Sequence, residues 1–440
     1  MLIPYPGSPL QAAVRLAENG PHDQYVIYER KGSWWYAGGV RASLVVDREH
    51  VTLDHRDERI RTPWQGDPLP TVRTLLAQLP EQEWRVYGWA AFELSYALQG
   101  ETEYLDEAPL IHLVLPRSEV RLAPDGAELQ CTDEADAAAI GAVLAADCSP
   151  AGIEHAPLDV DLAEPPGESY QEAVKRAVGA INDGDLQKVI LSRAVPVETE
   201  LDLPATYLAG RMANSPARSF LLKLGDIEAT GFSPETVVEV AANGRVSTQP
   251  LAGTRALTGD DAADAARRAD LLTDPKEIYE HAISVQVAWD EMVATCTEGS
   301  VRAEEFMTVK ERGSVQHLAS RVSGQLPHDD RGPWPALAAV FPAVTASGVP
   351  KSAAYRTIRE LEQGPRGLYS GAVLTVGSDG FLDAALTLRT VFRSQGRTWL
   401  RAGAGIVGQS LPEREFEETC EKLRSVSRTL VARRTESGQE

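Results

Sequence analysis

The chain has 440 residues, of which 43% are hydrophobic and 24% charged, a composition typical of a globular protein with one large domain or two ordinary ones. The formal net charge of −21 argues against nucleic acid or an anionic membrane as the main partner. A signal peptide, a membrane-length apolar run and a C-x-x-C pair are all absent from the sequence. We therefore expect a cytoplasmic protein without a zinc or disulfide scaffold.

The first part of the chain, residues 1–150, is predicted to be rich in β-structure. Four short apolar runs between Tyr25 and His55 are separated by turn residues and predict a meander of strands. Residues 84–97 predict a core strand followed by a helix. Residues 147–168 lose this periodicity and are rich in Pro and Asp, so we place the boundary of the N-terminal part there.

The second part, residues 165–434, mixes strands with helices and has no regular βαβ alternation. A long helix is predicted to begin at Pro275, with Asp274 as its N-cap and Glu277 at the capping-box position. We expect an α+β fold with mainly antiparallel sheets flanked by helices. Residues 435–440 are predicted to be a frayed tail.

Residues 401–423 predict the end of a strand, a glycine-rich turn and an acidic helix. Ser410 is the predicted cap of this helix, and Glu413 completes a capping box. Spacings of three and four residues place three charged side chains on one helical face: Glu415, Glu418 and Lys422. The run from Gly403 to Gly408 also fits the dinucleotide motif G-x-G-x-x-G. No second strand with an acidic residue follows it, so we reject that interpretation.

Several residues have both an ordinary and a functional interpretation. Lys188 is either an exposed strand lysine or a base in an apolar setting. Glu235 is either a surface carboxylate or a general acid, and the turn at Gly253 either connects strands or binds an anion. Glu418 with Lys422 forms either a surface ion pair, worth ~0.3–0.5 kcal/mol, or part of a site. A carboxylate of the predicted long helix, such as Glu280, together with one or two from the C-terminal helix would suit Mg²⁺. The residues alone leave these alternatives open.

Eight sequence blocks in this order resemble the chorismate-utilising enzymes, a family of anthranilate, aminodeoxychorismate, isochorismate and salicylate synthases. The blocks are GFSPE, PLAGTRA, DPKEIYEHAISV, SVQHLASRVSG, FPAVTASGVPK, GLYSGAV, DAALTLRT and RAGAGIVGQSLPEREFEETCEKL. The resemblance covers roughly Ser169 to Arg434 and is strongest to the salicylate synthase branch that serves mycobactin siderophore synthesis. Residues before Ser169 resemble the family more weakly.

The resemblance implies a large two-layered α+β fold with an active site deep between its halves, chorismate as substrate and Mg²⁺ as cofactor. It implies that Lys188 is the base that activates water and that Glu235 is the acid that protonates the leaving hydroxyl. The implied magnesium ligands are Glu280, Glu418 and Glu415, the last directly or through water. The implied substrate-binding residues are Gly253, Thr254, Tyr369, Arg389, Gly403, Ala404, Gly405 and Lys422. The residues implied to contact and orient these catalytic and binding residues are His317, Thr345 and Glu277, the last as a cap or an outer metal contact.

Two positions discriminate within the family. Aminodeoxychorismate synthases of the common type have a nucleophilic lysine where this chain has Ala252, and anthranilate synthases usually have glutamine where it has Lys188. Lysine there suits water as the nucleophile. We expect a magnesium-dependent enzyme that converts chorismate to isochorismate and then to salicylate and pyruvate, for a siderophore or another secondary metabolite. The alternatives are an isochorismate synthase and a catalytically silent chorismate-binding paralogue. A monomer is the default expectation.

Overall fold

The computed structural model describes residues 2–146, 158–163, 169–313 and 315–433. The predicted frayed tail, 435–440, and most of the predicted boundary at 147–168 lie outside the described residues. The division into residues 1–150 and 165–434 stays a prediction.

Helices and strands alternate irregularly along the chain. The α-helices of the described residues are α1 (Pro9–Asn19), α2 (Leu69–Leu76), α3 (Leu94–Leu98), α4 (Glu134–Ala145), α5 (Tyr170–Asn182), α6 (Leu203–Ala213), α7 (Asp261–Leu271), α8 (Pro275–Thr295), α9 (Trp334–Val340), α10 (Lys351–Leu361) and α11 (Pro412–Ser427). The strands are β1 (Leu2–Ile3), β2 (Tyr25–Arg30), β3 (Ser33–Gly38), β4 (Ala42–Val46), β5 (His50–His55), β6 (Glu58–Pro63), β7 (Arg85–Ala90), β8 (Ile111–Leu115), β9 (Ser118–Ala123), β10 (Gly126–Cys131), β11 (Lys188–Pro196), β12 (Arg218–Leu224), β13 (Ile227–Ser233), β14 (Thr236–Val240), β15 (Arg245–Thr248), β16 (Leu251–Ala256), β17 (Arg302–Arg312), β18 (Val315–Gln325), β19 (Gly348–Val349), β20 (Ala372–Gly377), β21 (Leu382–Leu386), β22 (Thr390–Ser394) and β23 (Arg397–Ile406).

The strands form two large sheets. The first has the order β1-β10-β9-β3-β2-β12-β13-β22-β23-β11-β19, and the second has the order β16-β18-β15-β14-β21-β20-β7-β8-β4-β5-β6, with β17 paired to β18. Both sheets contain strands from the two parts of the chain, because β2 pairs antiparallel with β12 and β7 pairs antiparallel with β20. The predicted α+β fold with mainly antiparallel sheets is confirmed.

The two sheets pack face to face, and helices cover their outer faces. One apolar cluster joins side chains of the first sheet, such as Tyr28 and Phe220, to side chains of the second, such as Trp89 and Val373. A second cluster packs α1, α4, α6 and α11 on the first sheet, and a third packs α2, α8 and α9 on the second. Burial of these apolar faces is the main force that holds the layers together.

The predicted meander between Tyr25 and His55 is divided between the two sheets. β2 and β3 pair in the first sheet, whereas β4 and β5 pair in the second. The chain turns between them at Gly39, whose φ of +70° favours glycine. The prediction of one continuous meander was wrong because apolar alternation looks the same in one sheet as in two.

The glycine-rich turn predicted near residue 403 is in fact a strand. β23 extends to Ile406 and pairs with β11 along this length. Glycine is needed here for space, because a Cβ at Gly403 would lie 2.6 Å from the Leu191 carbonyl oxygen. A Cβ at Gly405 would lie 2.6 Å from Glu280 Oε1. The glycines therefore permit close approach, as predicted, but within a sheet.

The predicted caps of the two helices that border the site have different outcomes. Asp274 caps α8 by accepting from the amides of Lys276 and Glu277, as predicted. Ser410 does not cap α11, because its Oγ accepts from the Val407 amide at 3.1 Å and closes the preceding turn. The helix begins one residue later, after Leu411, without a side-chain cap.

Two expectations from composition also have structural outcomes. No helix in the described ranges is long and apolar enough to span a bilayer. Cys131, Cys296 and Cys420 are free thiols, and Cys148 lies outside the described residues.

Candidate active site

Most of the predicted site residues lie on the wall of one cavity of about 730 Å³. The cavity lies where β11 and β23 of the first sheet meet β16 and β18 of the second, and α8 and α11 contribute further wall residues. Its wall includes Glu235, Gly253, Thr254, Glu277, Glu280, His317, Thr345, Tyr369, Arg389, Gly403, Gly405, Glu418 and Lys422. Lys188, Ala404 and Glu415 are buried and do not form part of the wall.

Lys188 is the first residue of β11 and is fully buried. Its Nζ lies 3.0 Å from Glu280 Oε1 and donates to Ser284 Oγ at 3.2 Å. Both partners come from α8, one helical turn apart. This burial excludes an exposed strand lysine and places the ammonium against a carboxylate of the cavity wall.

Glu235, between β13 and β14, is only 3% exposed. Burial raises its pKa to about 8, although the Thr345 hydroxyl, the Leu251 amide and the Lys188 charge all oppose this shift. The Thr345 hydroxyl donates to Glu235 Oε1 at 2.7 Å. A carboxyl group with this pKa carries a proton near neutral pH, so Glu235 has the chemistry of a general acid.

A chain of hydrogen bonds joins Arg389, His317 and Thr254. Arg389 has only donors, so His317 Nε2 accepts its bond at 2.9 Å and the neutral ring carries its proton on Nδ1. Nδ1 then faces Thr254 Oγ1 at 3.0 Å and the Gly253 carbonyl at 3.3 Å. Burial, with Arg389 and Lys422, holds the His317 pKa well below its usual value, so the ring stays neutral.

Arg389 itself is held in an unusual conformation. Its backbone has φ +51°, a sparsely populated value for a residue with a side chain, and such strain often marks functional sites. Its Nη1 donates to the Arg312 carbonyl at 3.2 Å. Burial and the nearby Arg312 lower the Arg389 pKa to about 10, which leaves it cationic at neutral pH.

The backbone of β23 presents alternate residues to the cavity. Ile190 and Ser192 on β11 direct their amides away from β23, to the Ser347 carbonyl and to Glu362. In an antiparallel pair this places the opposite residues, Gly405 and Gly403, with their amides also turned outward. No further strand in the described residues covers that edge of β23 beyond Leu400. The two glycine amides therefore point toward the cavity.

The prediction for Ala404 needs correction. Its register partner is Leu191, in the paired position between the two outward-facing residues, so its amide points into the sheet. Its side chain is buried in the apolar core. Ala404 therefore presents no group to the cavity.

The C-terminal helix brings charges to the same cavity. Lys422 lies 2.8 Å from Glu418 Oε1 and donates to the Gly403 carbonyl at 2.8 Å. Burial raises the pKa of Glu418, but the Lys422 ammonium outweighs it and the net shift is downward. Glu418 with Lys422 is thus a half-buried pair on the cavity wall rather than a fully exposed surface ion pair.

The three predicted magnesium ligands are oxygen donors of the kind that Mg²⁺ prefers. Glu280 and Glu418 line the cavity, and Glu415 Oε1 lies 3.3 Å from Lys276 Nζ. Glu415 Oε2 is buried without a hydrogen-bond partner, which fits a carboxylate that awaits a further contact. Within the described ranges, no three or more His, Cys, Asp or Glu side chains form a ready metal cluster. The donors fit a Mg²⁺ ion that takes its other ligands from substrate and water.

The sequence analysis missed some residues that support the site. Ser284, which accepts from Lys188, lies four residues after Glu280, so helical spacing would have found it. Lys276 pairs with Glu415 across 139 residues, for which the sequence contains no signal. Arg255 donates to Glu277 at 2.9 Å, a partner that the sequence analysis did not find for this carboxylate, which it predicts to be a cap or an outer metal contact.

A comparison with known protein families matches residues 23–428 to the model of the chorismate binding enzymes. The chain belongs to this family. The expected resemblance is thus confirmed, and the cavity belongs to a chorismate-binding enzyme.

Individual relatives support the same assignment. The chain is 43% identical to a salicylate synthase of Mycolicibacterium paratuberculosis, over 96% of this chain and 93% of the relative. It is 36% identical to anthranilate synthase component 1 of Acetivibrio thermocellus, but this match covers only 60% of this chain and 53% of the relative.

Solved structures confirm the fold. Anthranilate synthase component I of Streptococcus pneumoniae superposes with a TM-score of 0.75 at 25% identity, over 91% of this chain and 92% of the other. The menaquinone-specific isochorismate synthase of Escherichia coli gives a TM-score of 0.72 at 21% identity, over 95% and 91%.

Proposed function

We propose that the protein is a magnesium-dependent salicylate synthase, which converts chorismate to isochorismate and then to salicylate and pyruvate. The observation that carries this proposal is the buried carboxyl of Glu235, protonated near neutral pH, on a cavity wall next to the pair that buried Lys188 forms with Glu280. The near full-length similarity to a salicylate synthase supports the choice of product.

The first step needs one proton acceptor and one proton donor. Water forms a bond to C2 of the ring while the C4–O bond breaks and the double bond shifts, so no oxidant or reductant is required. Lys188 takes a proton from the water, and Glu235 gives a proton to the leaving hydroxyl. An ammonium has no lone pair, so in this role Lys188 first gives up a proton to solvent, and its contact with Glu280, 3.0 Å from Nζ, opens when substrate binds.

The cavity also offers partners for the two carboxylates of chorismate. Arg389 and Lys422 bring positive charge, and the amides of Gly403 and Gly405 add donors at the same wall. Tyr369, whose ring centroid lies 5.8 Å from the Arg366 guanidinium and 5.5 Å from that of Arg401, completes the proposed clamp for the enolpyruvyl carboxylate.

The ring carboxylate of chorismate is proposed to bind at a neighbouring part of the same wall. Gly253 and Thr254 bind it, with Glu280 and Glu418 as Mg²⁺ ligands beside it and Glu415 behind Glu418. When bound, Mg²⁺ would offset the charge that the carboxylates and the substrate bring together.

Product analysis tests this proposal. The purified protein is incubated with chorismate, with Mg²⁺ or with EDTA, and the products are separated by chromatography. We expect salicylate and pyruvate with Mg²⁺ and neither with EDTA. Isochorismate without pyruvate would show that the enzyme stops after the first step, and unchanged chorismate would indicate a silent paralogue. Use of the salicylate in a siderophore pathway is part of the proposal.

A further inference from the structure

Arg255 is the most fully engaged charged residue near the cavity that the proposed mechanism leaves unused. Its guanidinium donates from Nε to Asp270 at 2.7 Å, from Nη2 to Asp274 at 2.6 Å and from Nη1 to Glu277 at 2.9 Å. Nη1 also donates to the Thr254 carbonyl at 2.9 Å. Four acceptors on one planar group form an arrangement that only arginine can make.

These acceptors come from three segments, namely α7, the beginning of α8 and β16 itself, which contributes the Thr254 carbonyl. Asp270 lies in the last turn of α7, Asp274 is the N-cap of α8, and Glu277 lies in the first turn of α8 on the cavity wall. Asp274 uses one oxygen for the helix amides and the other for Arg255. Arg255 thus fixes both helices relative to β16, the strand that carries it.

The turn predicted at Gly253 is in fact a β-bulge inside β16, and two of these segments enclose it. A Cβ at Gly253 would lie 3.0 Å from Glu277 Oε2 and 3.3 Å from Leu271 Cδ1, so both side chains contact the turn closely. Gly253 also has φ +78°, which an ordinary side chain would strain. The shape of the turn therefore depends on where α7 and Glu277 lie, and Arg255 sets both positions.

Arg255 also balances the charge at this end of the cavity. Without it, Asp270, Asp274 and Glu277 would lose their common partner next to the carboxylate of Glu280. Their negative charge would oppose the approach of a dianionic substrate, although the cavity must admit one for the proposed function.

We infer that Arg255 is a positioning residue, which shapes the Gly253–Thr254 turn for the ring carboxylate of the substrate without taking part in proton transfer. This inference rests on the proposed function. It predicts that loss of the guanidinium contacts of Arg255 raises KM for chorismate and leaves kcat nearly unchanged, because the Gly253–Thr254 segment binds substrate and transition state alike.

The test compares Arg255→Lys and Arg255→Ala with the wild type. Lysine keeps the charge but cannot reach three carboxylates, so we expect KM for chorismate to rise about tenfold in both variants, the equivalent of one charge-assisted hydrogen bond. Arg359→Ala is the matched control. Arg359 is similarly exposed, at 20% against 21%, and is ion-paired at 2.9 Å to Glu101, away from the cavity wall.

Hydrogen exchange of the full-length protein, measured by mass spectrometry without substrate, gives a second readout. We expect faster exchange in α7 and in the first turn of α8 for both Arg255 variants, and no such change for Arg359→Ala. Unchanged exchange and KM would overturn the inference, as would a fall in kcat at constant KM or an equal rise in KM in the control. If the wild type does not consume chorismate, the proposed function fails, and the exchange measurement still decides whether Arg255 positions these segments.

Discussion

Replacement of Glu235 by glutamine tests whether a neutral carboxyl group is buried in the cavity wall. Folding raises the pKa of Glu235 from 4.5 to about 8, mainly through burial. The folded state therefore binds this proton more tightly than the unfolded state does. Protonation of Glu235 stabilises the fold fully below the unfolded pKa of 4.5, and this stabilisation is lost as pH rises through about 8. The stabilisation amounts to roughly 4 to 5 kcal/mol, of which roughly 3 kcal/mol is lost between about pH 5.5 and about pH 9.

Glutamine has nearly the same shape as protonated glutamate and cannot ionise, so the stability of the Glu235→Gln variant does not decrease through ionisation at this position. We expect the free energy of unfolding of Glu235→Gln, relative to wild type, to increase by about 3 kcal/mol between those two pH values. Urea unfolding of both proteins, measured in parallel, gives the difference and cancels the titration of all other groups. Glu58→Gln, at an exposed position on β6, should show no pH-dependent difference. A pH-independent difference for Glu235→Gln would refute the assignment of a buried neutral carboxyl.

Three further substitutions test other parts of the site. Lys188→Met removes the proposed base, and we expect chorismate turnover, followed by chromatography, to fall at least about a hundredfold; near-normal turnover would remove Lys188 from the mechanism. Gly405→Ala places a methyl group 2.6 Å from Glu280 Oε1, so we expect the Mg²⁺ concentration for half-maximal activity to rise about tenfold. Gly179→Ala, which meets no atom within 4 Å, is its control and should leave that concentration unchanged. Arg389→Lys keeps the charge but loses the planar fork, so KM for chorismate should rise about tenfold in steady-state kinetics; an unchanged KM would contradict the clamp.

The sequence predicted the fold class, and most of the site residues that it predicted lie on the cavity wall, for identifiable reasons. Short blocks such as GFSPE and PLAGTRA identify the family, and each block contains a residue that the fold brings to the wall, such as Glu235 or Thr254. Helix signals of local origin, such as the Asp274 cap, were confirmed because they depend on neighbours within a few residues.

Features that depend on distant partners were not predictable. Gly403 and Gly405 have the local signature of a turn, and only the pairing with β11 makes them part of a strand. The same pairing, invisible in the sequence, turns the Ala404 amide away from the cavity. Ser410 matches a helix cap by spacing, yet its hydroxyl closes the preceding turn with Val407.

Electrostatic roles also required the tertiary structure. The pKa of Glu235 rises because the surrounding chain excludes water, which depends on burial and not on neighbouring residue types. Glu277 was predicted to be a cap, because Asp274 lies three residues before it, or an outer metal contact. In the structure, Arg255, twenty-two residues away in sequence, donates a hydrogen bond to the Glu277 carboxylate.

The most direct test of the proposed chemistry is the origin of the oxygen atom at ring C2. The enzyme is incubated with chorismate and Mg²⁺ in water enriched in the heavy oxygen isotope, and the product is analysed by mass spectrometry. Water addition at C2 predicts salicylate that carries one heavy oxygen in its hydroxyl group, with pyruvate released in equal amount. Unlabelled salicylate, or no salicylate at all, would contradict the account.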